Sequence, residues 1–396
     1  MPKAVWILII GTFLNSIGSA FLWPLNSIYV HDYLGKSLSV AGFVMMLSSL
    51  AGIIGNLVGG YLFDKFGGYR AITFGATLNI LGLTGMYFWH EWPWYVVFLV
   101  CIGFSGAVVY PMIYALVGQA WPTGGRKAFN AIFLAANVGV AIGPAFAGLV
   151  ADVNFEYVFA VNLAVYAIFF LFVITTFSRF KHVIVEKTRD AKVRASNERA
   201  GLLAIGILSI ALVVCWIGYS QWAATISTYT QSLNISLTQY SMLWTINGVL
   251  IVAIQPFIRP LLRRWENKLK HQLVLGMVLM GISYGVVYFA DAFTFFVVAM
   301  VLLTLGEVFF TPVLPTIANK LAPEGRKGFY QGVVNAMTAL GRTIGPLLGG
   351  VMVDLYGMQM LMFIFVVLFA FAIIPCLLFD KPLQKKAKEV NIPGKI

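Results

Sequence analysis

Charged side chains are scarce in this sequence: Asp, Glu, Lys and Arg together make up 11% of the 396 residues, whereas 60% are hydrophobic. Soluble globular proteins carry about 25% charged and about 45–50% apolar residues. A chain with so few charges cannot cover a surface that faces water on all sides. The composition therefore excludes an ordinary soluble enzyme, a disordered chain and a secreted disulfide scaffold, and it indicates a protein of the lipid bilayer.

Cysteine and histidine are also rare, and their positions exclude a disulfide framework or a metal centre. Each of the three cysteines lies inside an apolar run, and the four histidines lie apart near the ends of such runs. The sequence contains no nucleotide-binding loop of the form GxxxxGK[ST], so ATP is not the expected energy source. The segment HEWPW (90–94) fails the HExxH pattern of a metalloprotease. We expect neither a cofactor nor enzymatic activity.

What the sequence contains instead is a series of long apolar runs. A helix needs about 20 mainly apolar residues to cross the hydrocarbon core. One polar stretch (179–199) divides twelve such runs into two sets of six, which predicts an all-α membrane protein with an N-terminal bundle (1–178), a linker (179–200), a C-terminal bundle (201–380) and a tail (381–396). We number the runs as spans 1 to 12; they lie near residues 4–30, 39–63, 71–89, 94–118, 129–151, 157–178, 201–229, 239–258, 272–290, 293–318, 330–353 and 357–379.

The basic residues concentrate on one side of this predicted topology. Of the 27 Lys and Arg residues, only Lys36 lies in a loop on the other side, and Arg342 lies within a span. An excess of Lys and Arg marks the cytoplasmic side of a membrane protein. The sequence thus predicts a multi-pass protein of the cell membrane with both termini in the cytoplasm. The net charge of +12 is then a topology signal, and no nucleic-acid partner is expected.

The two halves share a sequence signature that indicates an internal duplication. GRKAF (125–129) precedes span 5, and GRKGF (325–329) precedes span 11. In each span two glycines four residues apart are followed by a proline, a further glycine and, eight residues after the proline, an aspartate. The residues are Gly139, Gly143, Pro144, Gly148 and Asp152 in span 5, and Gly341, Gly345, Pro346, Gly350 and Asp354 in span 11.

These glycines and prolines have a physical use in a membrane. Residues four apart share one helix face, and small residues at that spacing let neighbouring helices approach closely in lipid. A proline removes a backbone hydrogen bond and bends the helix. We predict that the two bent helices act as hinges where the halves rock against each other. Tight packing without motion is the alternative interpretation.

The loop between spans 2 and 3 reads GYLFDKFGGYR (60–70). This loop and the Gly-Pro segment of span 5 resemble motifs of the major facilitator superfamily, and the resemblance covers nearly the whole chain. It implies two six-helix bundles around a central cavity, alternating access, and export in exchange for protons. It also implies that Asp64 holds a cytoplasmic gate shut by interacting with the positively polarised start of span 11. The gating residues so implied are Gly60, Asp64, Lys65, Gly67, Arg70, Gly139, Gly143, Pro144, Gly148, Gly345 and Pro346.

Two positions depart from the pattern of that family. Gly68 stands where the loop motif usually has its first trailing base. Leu99 occupies the place, twelve residues before Pro111 in span 4, where efflux members of the family commonly carry an arginine. Any proton carrier must therefore lie elsewhere in this chain.

Two ionisable residues, Glu307 in span 10 and Arg342 in span 11, lie deep within the predicted spans. A charge near the bilayer midplane costs about 2.5–3.5 kcal/mol on insertion scales, so each needs a partner or a wet cavity. Thr311 follows Glu307 by four residues and Asn335 precedes Arg342 by seven, so each charge belongs to a polar stripe along its helix.

The segment around Glu307 (303–312) is similar to the corresponding span of the family's lactococcal multidrug–proton antiporter. The resemblance implies that Glu307 both binds cationic drugs and couples their export to protons. A buried carboxyl group can take up a proton on one side and release it on the other, and a lipophilic cation would compete with that proton. The alternative is that Glu307 and Arg342 form a permanent structural bridge.

Aromatic side chains can complete a cation site, because an aromatic face binds a cation with about 0.5–2 kcal/mol. The candidates are Tyr110 and Tyr114 on span 4 and Trp216 and Tyr219 on span 7. Trp222, also on span 7, serves either this site or the membrane interface.

The sequence predicts a secondary active transporter that exports lipophilic, cationic small molecules in exchange for protons, a multidrug antiporter acting as a monomer in the bilayer. The alternatives are a carrier of one metabolite (a sugar, a peptide or an organic acid) and a lipid translocator. The predicted binding and coupling residues are Glu307, Arg342, Asn335, Thr311, Tyr110, Tyr114, Trp216 and Tyr219.

Overall fold

The computed structural model describes residues 1–121, 125–180, 198–264, 268–322 and 327–383, and every regular element within these ranges is a helix. Twelve of the described helices are long and apolar enough to cross a membrane, which confirms the predicted all-α architecture. The main helices of spans 1 to 12 are Lys3–Leu22, Leu38–Phe66, Gly68–Phe88, Trp94–Ala120, Gly125–Val153, Glu156–Thr176, Glu198–Ala224, Leu237–Arg264, Leu269–Tyr288, Phe293–Phe310, Lys327–Tyr356 and Met358–Leu378.

Span 1 continues beyond its main helix in an irregular form. Because Pro24 has no backbone N–H, regular α-helical hydrogen bonding is interrupted there. Span 1 then ends in a π-helical turn, Tyr29–Tyr33. This turn is held by aromatic packing: the ring centroid of Tyr29 lies 4.9 Å from that of Phe155 and 5.0 Å from that of Phe159. The start of span 6 thereby fixes the end of span 1.

The tenth span is shorter than the apolar run that predicts it. The run extends over 293–318, whereas the main helix ends at Phe310 and a separate short helix follows, Val313–Leu321. Pro312 lies between the two helices. It has no N–H to continue the hydrogen-bonding ladder, which explains the break.

The chain divides into two compact structural units. Unit one comprises Met1–Lys187, Trp222–Val252 and Pro346–Asp354, and unit two comprises Thr188–Gln221, Ala253–Gly345 and Leu355–Ile396. Each unit contains segments from both sequence repeats, because it is defined by contacts rather than by the duplication. The domain boundaries that the sequence suggests therefore stay a prediction, and most of the predicted linker (179–200) lies outside the described residues.

The spans alternate in direction, so the loops that follow odd-numbered spans share one side of the membrane. We call it the odd-loop side. The distribution of Lys and Arg predicts that it is extracellular. The starts of spans 2 and 8 and the ends of spans 5 and 11 all lie there.

Candidate substrate and coupling site

Glu307 and Arg342 lie in unit two beside two aromatic side chains of span 7. The guanidinium carbon of Arg342 lies 3.9 Å from the centroid of the Trp216 ring. That ring meets the ring of Tyr219 edge to face, with 5.1 Å between the centroids. The Tyr219 hydroxyl in turn donates a hydrogen bond to the carboxylate of Glu307. The two charges are thus connected through neighbouring aromatic residues of one helix.

The spacing along span 7 explains why these aromatic residues meet. Trp216 and Tyr219 are three residues apart, so they project from the same face of the helix. Trp216 is 6% exposed and Tyr219 is 8% exposed, whereas Glu307 is half-buried and Arg342 is exposed. A planar guanidinium group stacks well on an aromatic face, which accounts for the position of Arg342. The carboxylate is therefore the more enclosed of the two charges.

Both charges act on the same neighbouring side chains. Glu307 and Arg342 exert opposite Coulombic effects on Cys215, and they do the same on Tyr219. Opposite charges so close to shared neighbours reduce each other's field, and in a region of low dielectric constant this reduction is substantial. The structure thus brings together four of the predicted residues, namely Glu307, Arg342, Trp216 and Tyr219.

The other predicted binding residues are placed differently. Thr311 is half-buried at the end of the span 10 helix, where its N–H donates to the Glu307 carbonyl oxygen at 2.9 Å. Asn335 is exposed two helical turns before Arg342. Tyr110 and Tyr114 belong to unit one, where their hydroxyl oxygens lie 3.2 Å apart and their ring centroids 5.2 Å apart. These two tyrosines form a pair of their own.

Gln221 is absent from the predicted site, although it links the two helices that carry Trp216 and Arg342. Its side chain is fully buried. Its Nε2 atom donates to the carbonyl oxygen of Gly345 on span 11 at 2.8 Å and to that of Ile217 at 2.9 Å. Burying an amide is costly without such partners. Gln221 is the one glutamine of span 7, and this is the signal that would have identified it.

The glycine stripes of spans 5 and 11 contact the first span of their own repeat. A Cβ atom on Gly139 would lie 2.7 Å from the Cβ of Ser16 on span 1, and one on Gly341 would lie 2.7 Å from the Cβ of Trp216 on span 7. A Cβ on Gly143 would lie 2.7 Å from the carbonyl oxygen of Ile17. These distances leave no room for a side chain. The role of Pro144, Gly345 and Pro346 as hinges stays a prediction.

The predicted gating loop between spans 2 and 3 (60–70) is helical on both sides of Gly67, because one helix ends at Phe66 and the next begins at Gly68. Gly67 has a φ of 84°, a left-handed conformation that favours glycine, whereas Gly60 has open space around it. Lys65 and Arg70 are exposed. The side chain of Asp64 and residues 323–326, just before span 11, lie outside the described residues, and so does the predicted contact of Asp64 with the start of span 11.

Comparison with known proteins gives consistent results for both halves. The family model of the Major Facilitator Superfamily matches this chain over residues 8–229 and again over 207–394. The "Uncharacterized MFS-type transporter YttB" of Bacillus subtilis (strain 168) is 48% identical over 391 residues, which cover 99% of this chain and 98% of the relative. The "Na(+), Li(+), K(+)/H(+) antiporter" of Planococcus maritimus is 24% identical over a match that covers 87% of this chain and 88% of the relative. The "Multidrug resistance protein MdtH" of Aeromonas hydrophila is also 24% identical, and the match covers 88% of this chain and 87% of the relative.

Proposed function

Because this chain belongs to the major facilitator superfamily, we propose that it exports lipophilic cations from the cell in exchange for protons. Membership of the family makes it a multi-pass membrane transporter of small molecules. The cargo, the proton coupling, the direction, alternating access, the cytoplasmic termini and the monomeric state are the parts that we propose. Two similar proteins support the choice, since one is a multidrug resistance protein and another a cation/H(+) antiporter by name.

The observation that carries this proposal is the hydrogen bond from Tyr219 to Glu307 beside the stack of Arg342 on Trp216. A lipophilic cation needs apolar surface, an aromatic face and a negative charge, and this group of residues provides all three. A neutral hydroxyl is a partner that the carboxylate can exchange for a cation. Glu307 can therefore accept the hydrogen bond from Tyr219 when the site is empty and bind a cationic cargo when one arrives.

Exchange follows from competition at one carboxylate. A protonated Glu307 has no charge with which to hold a cation, so a proton that arrives from the outside displaces the cargo. When the site faces the cytoplasm, the proton leaves and a new cation binds. One proton exchanged for one monovalent cation moves no net charge, so the pH difference drives this exchange, and each tenfold ratio of proton concentration supplies about 1.4 kcal/mol.

A second candidate function is favoured by the exposure of Arg342. A guanidinium group binds a carboxylate through two parallel hydrogen bonds, and an exposed one is accessible to a dissolved ligand. A carrier of an organic acid would use Arg342 as its anchor. In that case Glu307 would serve as the countercharge of Arg342 rather than as the cargo site.

Transport by the purified protein in liposomes tests the first proposal. With an imposed acidic interior, the wild-type protein is expected to accumulate ethidium against its gradient in vesicles of inverted orientation. Glu307→Gln is expected to reduce this uptake to the level of protein-free vesicles, because the amide neither binds a proton nor attracts a cation. Asp291→Asn is the matched control, since Asp291 is an exposed acid in the loop between spans 9 and 10.

Equilibrium binding separates the two candidates. The affinity of the wild-type protein for ethidium is expected to rise with pH, whereas that of Glu307→Gln should be low and independent of pH. Wild-type uptake by Glu307→Gln would remove Glu307 from the mechanism. Uptake of an organic acid that Arg342→Gln abolishes, without uptake of ethidium by the wild type, would favour the second candidate.

A further inference from the structure

Asp152 and Asp354 occupy equivalent places in the two repeats, each eight residues after the proline of its helix. Both lie within unit one, at the ends of their helices on the odd-loop side. The carboxylate of Asp152 accepts hydrogen bonds from the backbone N–H groups of Leu237 at 2.9 Å and Thr238 at 3.0 Å. These are the first two residues of the span 8 helix, so Asp152 caps a helix distant in sequence.

Asp354 makes the same kind of contact with the start of span 2. Its carboxylate accepts hydrogen bonds from the backbone N–H groups of Leu38 at 3.3 Å and Ser39 at 2.7 Å. The Ser39 hydroxyl also donates to it. Each aspartate therefore caps a helix of the other repeat: span 5 caps span 8, and span 11 caps span 2.

The two helix starts that receive these carboxylates are built alike. The Ser37 hydroxyl accepts from the Val40 N–H at 3.3 Å, and the Ser236 hydroxyl accepts from the Gln239 N–H at 3.1 Å. The first helical N–H groups have no partner within the helix. In both places the helix's own serine satisfies the third of them, and the distant aspartate satisfies the first and second. Because the serine takes the third N–H group, the first two N–H groups of each helix are left to bind one carboxylate from another helix.

Glycine makes the close approach possible beside each cap. A Cβ atom on Gly148, four residues before Asp152, would lie 2.6 Å from the Cβ of Ser241 on span 8. A Cβ atom on the equivalent Gly350 would overlap the carbonyl oxygen of Leu38 on span 2. The helices are thus packed backbone against backbone, with the aspartate at the end of each contact.

We propose that Asp152 and Asp354 form a two-armed latch that closes the odd-loop side and opens to release cargo there. This inference rests on the alternating access of the proposed function. A carboxylate at a helix N-terminus is stabilised both by its hydrogen bonds and by the helix dipole. Opening of this side separates both carboxylates from their helices. Weakening either arm therefore raises the fraction of molecules that are open on the odd-loop side.

Cysteine labelling tests the latch without any transport measurement. Ser241 is fully buried against Gly148, so Ser241→Cys reports opening when Cys101, Cys215 and Cys376 are replaced by alanine. A membrane-impermeant maleimide is added from the odd-loop side. We expect Asp152→Ala and Asp354→Ala each to raise the labelling rate about threefold to tenfold, the range of a lost helix cap. The double variant should show roughly the product of the two effects.

Controls distinguish opening from loss of structure. Asp291→Ala removes an exposed acid from the same side and should leave the rate unchanged. Ser283→Cys, a second reporter buried in span 9, should stay unreactive in every variant. If an alanine variant does not fold, Asp152→Asn and Asp354→Asn keep the shape, remove the charge and should still raise labelling.

Three results are decisive for this proposal. Unchanged labelling at residue 241 in folded variants of both aspartates would overturn the latch. Equal increases at residues 241 and 283 would also overturn it, because they indicate general unfolding. Increased labelling at residue 241 alone, in a protein that transports no lipophilic cation, would support the latch while refuting the proposed cargo.

Discussion

Spans 1 and 5 of the first repeat pack in the same way as spans 7 and 11 of the second, yet the two pairs carry different chemistry. Gly139 lies against Ser16, and Gly341 lies against Trp216, so this serine and this tryptophan hold equivalent places. The first is a small hydroxyl, whereas the second is the ring on which Arg342 stacks. The duplication has thus kept the helix contacts, whereas the two charges deep within the spans, Glu307 and Arg342, lie in the second repeat.

The largest expected effect tests what the repeats share. Gly139→Leu and Gly341→Leu should each destabilise the protein by about 3 kcal/mol, because overpacking forces closely packed helices apart. Thermal unfolding in detergent measures the loss. Gly60→Leu and Gly206→Leu are controls, since both glycines have no neighbour within 4 Å of an added Cβ and should tolerate the change. If only one of Gly139→Leu and Gly341→Leu lowered the thermal stability, the two repeats would not share this packing.

An intermediate effect tests what the repeats do not share. Arg342→Ala should lower the free energy of unfolding by about 1–2 kcal/mol, less than for a fully buried pair, because Arg342 is exposed. Adding Glu307→Gln should restore at least half of this loss if the two charges stabilise each other. Val140→Ala is the matched control at the equivalent position of span 5. A double variant no more stable than Arg342→Ala would argue against a structural bridge.

The smallest expected effect concerns the polar contacts of the two proline-containing helices, spans 5 and 11. The Thr245 hydroxyl donates to the carbonyl oxygen of Ala141 at 2.7 Å, three residues before Pro144, and Gln221 donates to that of Gly345. Thr245→Val and Gln221→Leu should each cost about 1 kcal/mol in thermal unfolding, the value of one hydrogen bond. Thr175→Val should be neutral, since that exposed hydroxyl bonds within its own helix. Unchanged stability of both variants would show that these two hydrogen bonds do not stabilise the proline-containing helices.

The spans were predictable because each depends on local composition. Twenty apolar residues between polar ends have few other structures available in a bilayer. The early end of span 10 was also accessible in principle, since Pro312 lies within the apolar run. The length of that run outweighed the proline in our prediction. This mistake shows that a break inside an apolar run is best located from its prolines.

The candidate site was predictable in part. Glu307 and Arg342 attract attention because charges are rare within spans, and Trp216 and Tyr219 because they are aromatic and close in sequence. The stack of Arg342 on Trp216 depends instead on which face of span 7 meets span 11. Hydropathy does not determine that choice. The burial of Gln221 against span 11 follows from the same contact and was missed for the same reason.

The two aspartate caps could not be predicted from local sequence rules. Those rules describe how a helix is capped by its own first residues, and Ser37 and Ser236 follow them. The external carboxylates come from residues 85 or more positions away along the chain. The shared pattern of a serine, a leucine and a second hydroxyl at both helix starts is too short to stand out as a repeat.

The donors that Asp152 and Asp354 engage, apart from the Ser39 hydroxyl, are main-chain N–H groups, which all residues but proline possess. Their recognition is therefore indifferent to most replacements of side chains at the two helix starts. The stack of Arg342 on Trp216 and the hydrogen bond from Tyr219 to Glu307 depend instead on the identity of the side chains. Selection can thus remodel what the protein carries while leaving intact the way its helices meet, which is a physical reason why one architecture serves many cargoes.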